Sequence, residues 1–176
     1  MMDAGGIAGM IRVHHTARLP FEGGWAARLR AEARVKFEQF EHGADVGVRG
    51  FGSTPAEAFR GAAHALFALL AESPSSVRPA VEERFELEAT GLEELLVAYL
   101  NELISLSDTK HLVFGDFEVE IRGGAASAWR LSARARGEPF DPERHESTVQ
   151  PKGATYTAVR VAKEADRWLA QCVVDV

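Results

Sequence analysis

Two hard oxygen donors close the chain: Asp175 carries a carboxylate, and Val176, as the last residue, carries the terminal one. The apolar run Trp168-Leu169-Ala170-Gln171-Cys172-Val173-Val174 leads directly to them. A terminus that frays into solvent has no need of such a run, so the pattern predicts a final strand held in a sheet. A further acid converging there would make a cation site. The candidate is Asp45, in Phe37-Glu38-Gln39-Phe40-Glu41-His42-Gly43-Ala44-Asp45-Val46-Gly47-Val48-Arg49, where a glycine-permitted turn parts two alternating stretches. That turn presents an imidazole, His42, and a carboxylate, Asp45, as a ligand loop. The structural alternative is equally open: Asp45 caps the turn through its own backbone while His42 packs or is solvated.

The elements that must position these groups are legible in part. Val46 to Phe51 alternates as a half-buried strand. Thr54-Pro55-Ala56-Glu57 then supplies an N-cap, a proline at the first helical position and a capping-box acid. The helix that follows carries Phe59, Ala63, Leu66, Phe67 and Leu70 on one core-facing side and ends near Pro74, with His64 one place off the stripe as a boundary residue. Glu82 to Ala89 alternates as a strand with one acidic face, and Thr90-Gly91-Leu92-Glu93 starts a second helix whose Leu92, Leu95, Leu96, Tyr99, Leu100, Leu103 and Ile104 can lie under a sheet. Asn101 and Glu102, on its other side, read as solvent-exposed. A hairpin turning at Gly123-Gly124 has Arg130, Arg134 and Arg136 on its second strand and hence a basic outer face. A long loop from Gly137 to His145 leads through Lys152 to a strand at Ala158 to Val161, a turn at Glu164 to Arg167, and the final strand. Helices between strands, then a run of strands, predict an α+β fold: a two-layer sandwich of a largely antiparallel sheet with two main helices.

Composition narrows the function classes. A chain of 176 residues makes one domain able to bury about two thirds of the surface its unfolded form exposes, so neither metal nor disulfide is required for folding. The single Cys172 lies inside the last apolar run, which points to an inert buried thiol and a reducing, cytoplasmic setting. No apolar run approaches the about 18 residues of a membrane span. Residues 1–35 carry a net charge of +2 and residues 36–176 a net −8. An acidic body works against broad attachment to nucleic acid, leaving at most a local patch such as Arg130-Arg134-Arg136. Residues 1–35 lack a sustained period and read as a disordered or loosely attached N-terminal extension to a domain at 36–176. Their arginine-rich, acid-poor composition also suits an organellar targeting peptide or an extended translation start.

Five segments in order resemble one family. Phe37 to Gly47 with its His-x-x-Asp-x-Gly core, Leu95 to Asp108 with Leu100-Asn101-Glu102-Leu103, Ala133 to Pro139, Lys152 to Tyr156, and Val174-Asp175-Val176 are similar to the archease pattern. The resemblance implies an accessory protein that activates an RtcB-type RNA ligase, promoting its guanylylation and repeated turnover in tRNA splicing or RNA repair. It implies that Asp45, Asp175 and Val176 are the metal-binding residues, with His42 as a second-shell group, and that Lys152 is the residue of partner activation. Acids and a terminal carboxylate suit a hard divalent cation, Ca²⁺ or Mg²⁺, rather than zinc. RNA would then be met only through the ligase. The chain departs from the pattern at Lys152-Gly153-Ala154-Thr155-Tyr156-Thr157, where Thr157 stands in place of a histidine and Pro151 precedes the lysine. Two readings from other classes remain: a small metal-dependent phosphoester hydrolase, in which acids and cation activate water, and a general protein chaperone with an exposed apolar patch.

Overall fold

The computed structural model describes residues 11–20, 36–71, 73–124, 127–145, 147 and 149–176. In chain order the elements are β1 (Arg12–Pro20), β2 (Lys36–His42), β3 (Asp45–Gly52), α1 (Pro55–Phe67), β4 (Val81–Ala89), α2 (Leu92–Lys110), β5 (Leu112–Gly124), β6 (Ser127–Pro139), β7 (Gly153–Ala154), β8 (Arg160–Glu164) and β9 (Arg167–Asp175). The fold is α+β, as the patterns predict: the described residues form two α-helices, and their strands divide into two antiparallel sheets. One has the order β1-β4-β6-β5; in the other, β2-β3-β9-β7, the strand β8 also pairs with β9.

Both helices start as the sequence suggests, by slightly different chemistry. Thr54 accepts a hydrogen bond from the Glu57 amide at 3.2 Å, and the Glu57 carboxylate reaches back to the amide and hydroxyl of Ser53, each at 2.7 Å. In α2 the cap residue is Gly91, not Thr90, and Glu94 rather than Glu93 takes the hydrogen bonds from the amide and hydroxyl of Thr90. Each helix therefore has an acid in its first turn holding a hydroxyl residue just outside it, where the helix dipole also favours negative charge.

The helix α1 departs from the one-sided reading. It touches β2, β3 and β9 of one sheet and β5 of the other, and most of its residues are buried. A helix gripped from two sides loses the polar face that periodicity looks for. His64 is accordingly buried, edge-on to Phe117 at 5.0 Å and stacked on Phe37 at 6.0 Å. Burial, and then the nearby charge of Arg60, push its pKa down to about 4. It is a neutral core ring.

Two glycines set how closely α1 lies on β3. A Cβ at Gly50 would fall on the Ala58 carbonyl oxygen and the Ala62 nitrogen of the helix, and one at Gly61 would come within 2.8 Å of Gly50 Cα. Helix and strand meet backbone to backbone, which no larger residue permits.

The outer face of the β1-β4-β6-β5 sheet is not basic. Register sets Glu82 opposite Arg136, Glu88 opposite Arg130 and Glu118 opposite Arg134, so the acidic face of β4 and the arginines of β6 are cross-strand partners. Arg130 pairs with Glu88 at 3.0 Å and Arg134 with Glu118 at 3.4 Å. Arg136 meets Glu82 at 2.8 Å, Asp116 at 2.7 Å and Glu118 at 3.0 Å. The patch that the spacing suggested is thus neutralised by neighbours that a single strand's sequence does not reveal.

Within the segment read as a loosely attached extension, Arg12–Pro20 pairs along β4; residues 1–10 and 21–35 lie outside the described residues. The exposed Val13, His14 and His15 give β1 no apolar period from which a strand could be read.

Gly50→Val is expected to destabilise the protein by about 1–3 kcal/mol or more, the usual cost of overpacking. Gly124→Val, whose Cβ meets nothing within 4 Å, should change far less. Urea unfolding midpoints of the two variants, compared at equal slope, check this.

Candidate functional site

One end of the β2-β3-β9-β7 sheet gathers the residues singled out in the sequence. The β2-β3 hairpin turns over Gly43 and Ala44, with φ of 64° at Gly43 and no positive φ at Ala44, the pattern of a II′ turn. Register sets His42 opposite Asp45 and Val46 opposite Val174. Beyond that pair Asp45 and Asp175 are the next residues of their strands, and on the other side of β9 Asp175 is opposite Gly153. His42, Asp45 and Asp175 therefore lie in one row at the same end of three neighbouring strands. Asp45 is half-buried; His42 and Asp175 are exposed. Carboxylates brought to one end of neighbouring strands repel, and a cation between them would relieve that repulsion.

Lys152 joins this end through backbone and side chain. Its amide donates to the Asp175 carbonyl at 2.8 Å, and Nζ donates to the Val176 main-chain oxygen at 2.9 Å. The segment beyond is tied to β9 as well: the Thr155 amide and hydroxyl donate to the Val173 carbonyl at 2.9 and 3.1 Å. Thr157, where the family pattern has histidine, accepts from the Val173 amide at 3.1 Å with its carbonyl. Its side chain is exposed. No group of three or more His, Cys, Asp or Glu side chains among the described residues is placed to hold a metal ion. The donors that fit a hard cation are the two carboxylates, Asp45 and Asp175, and the oxygen of Val176.

Asn101 and Glu102 are not the solvent-facing pair that helical spacing suggests. Asn101 Oδ1 accepts from the Ala154 amide and Nδ2 donates to the Ala154 carbonyl, both at 2.9 Å. Glu102 lies 3.3 Å from His15 of β1. Burial lifts its carboxyl above the ordinary range, against the charges of His15 and Lys110. Both partners are remote in sequence, so periodicity could not find them.

The loop that delivers Lys152 is anchored by a buried cluster missed in the sequence. Glu138, at the end of β6, accepts from the Arg78 amide at 2.9 Å, from Arg144 at 2.8 Å and from the buried His145 at 3.2 Å. His145 Nδ1 in turn accepts from the Asp141 amide at 2.9 Å, which fixes the proton on Nε2, facing Glu138. Burial alone would raise the Glu138 carboxyl, but the hydrogen bonds from Arg144, the Arg78 amide and His145 prevail and take it to about 2. Cys172 is the buried inert thiol that its apolar run implied, its pKa pushed up to about 12 by burial.

The sequence model of the archease protein family (MTH1598/TM1083) matches residues 37–176. Protein archease of Pyrococcus furiosus is 41% identical over 142 residues, covering 80% of this chain and 99% of its own. That of Methanopyrus kandleri is 37% identical over 143 residues, covering 81% and 100%. The solution structure of Methanobacterium thermoautotrophicum protein 1598 superposes with a TM-score of 0.66 at 27% identity, over 80% of this chain and 98% of that one. A Thermotoga maritima crystal structure, described as an archease and possible chaperone, shares the fold with a TM-score of 0.50 at 16% identity.

Because the Glu138 pKa is depressed on folding, its stabilisation is complete above about 4.5 and is lost as pH falls from there towards about 2. Wild type and Glu138→Gln should therefore differ by up to about 3 kcal/mol at neutral pH. That difference should shrink steadily below pH 4.5. Chemical unfolding of both proteins across this range reads it directly.

Proposed function

The chain belongs to the archease family, and on that premise we propose that it is an accessory protein, not itself a catalyst, that activates an RtcB-type RNA ligase. It promotes the ligase's guanylylation and multiple turnover in tRNA splicing or RNA repair. We assign this activity to residues 36–176 and to the cytoplasm, where a reduced thiol such as Cys172 is at home. Among the described residues no helix is long and apolar enough to cross a membrane.

The observation that carries this reading is the convergence of Asp45, Asp175, Val176 and Lys152 at one end of a sheet. Asp45 and Asp175, with the terminal carboxylate of Val176, are a donor set for Ca²⁺ or Mg²⁺. His42, in the same row, would orient the shell from outside it. When bound, the cation supplies positive charge for phosphate or for the partner's own ligands. Lys152 is exposed and carries a compact, mobile ammonium suited to a phosphate oxygen. The acidic body and the neutralised arginines of β6 support RNA contact through the ligase rather than directly.

The description of the Thermotoga relative as a possible chaperone keeps a second reading in view. A general chaperone needs a broad apolar surface. Among the described residues the exposed large hydrophobics are Ile11, Val13, Phe37 and Tyr156, spread over the start of β1, β2 and the segment after β7. A partner-selective role suits that distribution better. A hydrolytic centre built on three or more side-chain ligands has no such group among the described residues.

Multiple-turnover ligation by the host's RtcB-type ligase should rise when this protein is added. Asp175→Ala should reduce that stimulation at least about tenfold, the loss that even an outer-shell partner's removal brings, with its melting temperature little changed. No stimulation by the intact protein, with phosphodiesterase activity or client holding in its place, would overturn the proposal.

A further inference from the structure

We infer that Asn101 is the positioning residue for Lys152, acting through a strand too short to hold its own place. The strand β7 has two residues, Gly153 and Ala154, fewer than the usual minimum of about three. On one side it pairs with β9. On the other, the Asn101 side chain presents a carbonyl to the Ala154 amide and an amide to the Ala154 carbonyl, both at 2.9 Å. The backbone groups dictate which end of the side chain faces which, since an N–H can only donate. Asn101 thereby supplies the pair of bonds that a further strand would make.

Its own position is firm. It stands on α2 between the buried Leu100 and Leu103, on a helix packed against strands of both sheets. Two residues before Ala154 comes Lys152, preceded by Pro151, whose ring fixes the backbone entering it. The Lys152 amide is bonded to Asp175 and its ammonium to Val176. The line from the core to the exposed ammonium runs α2, Asn101, β7, Lys152. That Lys152 is the group the ligase meets rests on the function proposed above; that Asn101 sets its place does not.

Limited acetylation of the full chain with acetic anhydride, followed by mass spectrometry, tests the placement without any ligase. Lys163, exposed on β8, serves as the internal reference. Asn101→Ala should raise the ratio of Lys152 to Lys163 modification about two- to fivefold, the range that an exposed ion pair's free energy allows. Asn101→Asp, which keeps the acceptor and loses the donor, should raise it in the same direction and decides the matter if the alanine variant fails to fold. In the ligation assay Asn101→Ala should lower stimulation, and combining it with Lys152→Met should lower it no further than Lys152→Met alone. An unchanged labelling ratio in variants that melt like wild type would overturn the inference, as would losses that simply add. Should the intact protein fail to stimulate the ligase, the functional reading falls while the labelling ratio still decides the role of Asn101.

Discussion

The strand β9 has partners along both edges, β3 on one and β7 with β8 on the other, and the groups at the candidate site take their places from it. Along this strand Leu169, Ala170, Cys172, Val173 and Val174 are all buried. Asp175 is the point at which burial stops and donors begin. The contact of Gly50 with the backbone of α1 keeps β3 at a fixed height, so the strand that carries Asp45 is braced by the core as well as by its ladder.

Charge is managed the opposite way in the other sheet. Arg136 is buried among Glu82, Asp116 and Glu118; burial opposes its charge, yet the hydrogen bonds it donates to Asp116 and Glu118 prevail and hold its proton more firmly than usual. Such a cluster adds little net stability over a well-packed apolar one, but removing a single member strands a buried charge. Its effect on the surface is to pair acids with arginines across β4, β5 and β6. An acidic protein thereby presents an interleaved face on one sheet, while Asp45 and Asp175 lie at one end of the other.

How far the sequence disclosed this can be judged residue by residue. Helix starts were legible because capping is local: Thr54, Pro55 and Glu57 are enough, and even the one-residue shift from Thr90 to Gly91 leaves the helix in place. The β2-β3 turn and the β9 run were legible for the same reason. The resemblance named Asp45, Asp175 and Lys152 but not what holds them. Asn101 and Glu138 lay hidden because a polar residue's burial depends on partners far along the chain, Ala154 for the one and Arg78 for the other. Two-residue β7 has no period to read, and the all-round burial of α1 is set by a second sheet that its own residues do not announce.

The pairing of Val46 with Val174 also carries a temporal consequence. A ribosome working at about 5–20 residues per second reaches Val174 on the order of ten seconds after Val46. Through that interval the edge of β3 that β9 will occupy has no native partner, and non-local pairings of this kind are slow to close even when all residues are present. Helix α1 and the hairpin of β2 and β3 can form early; the row of Asp45 and Asp175 cannot. The acids and the lysine are thus brought together only after β9 has joined β3, late in folding.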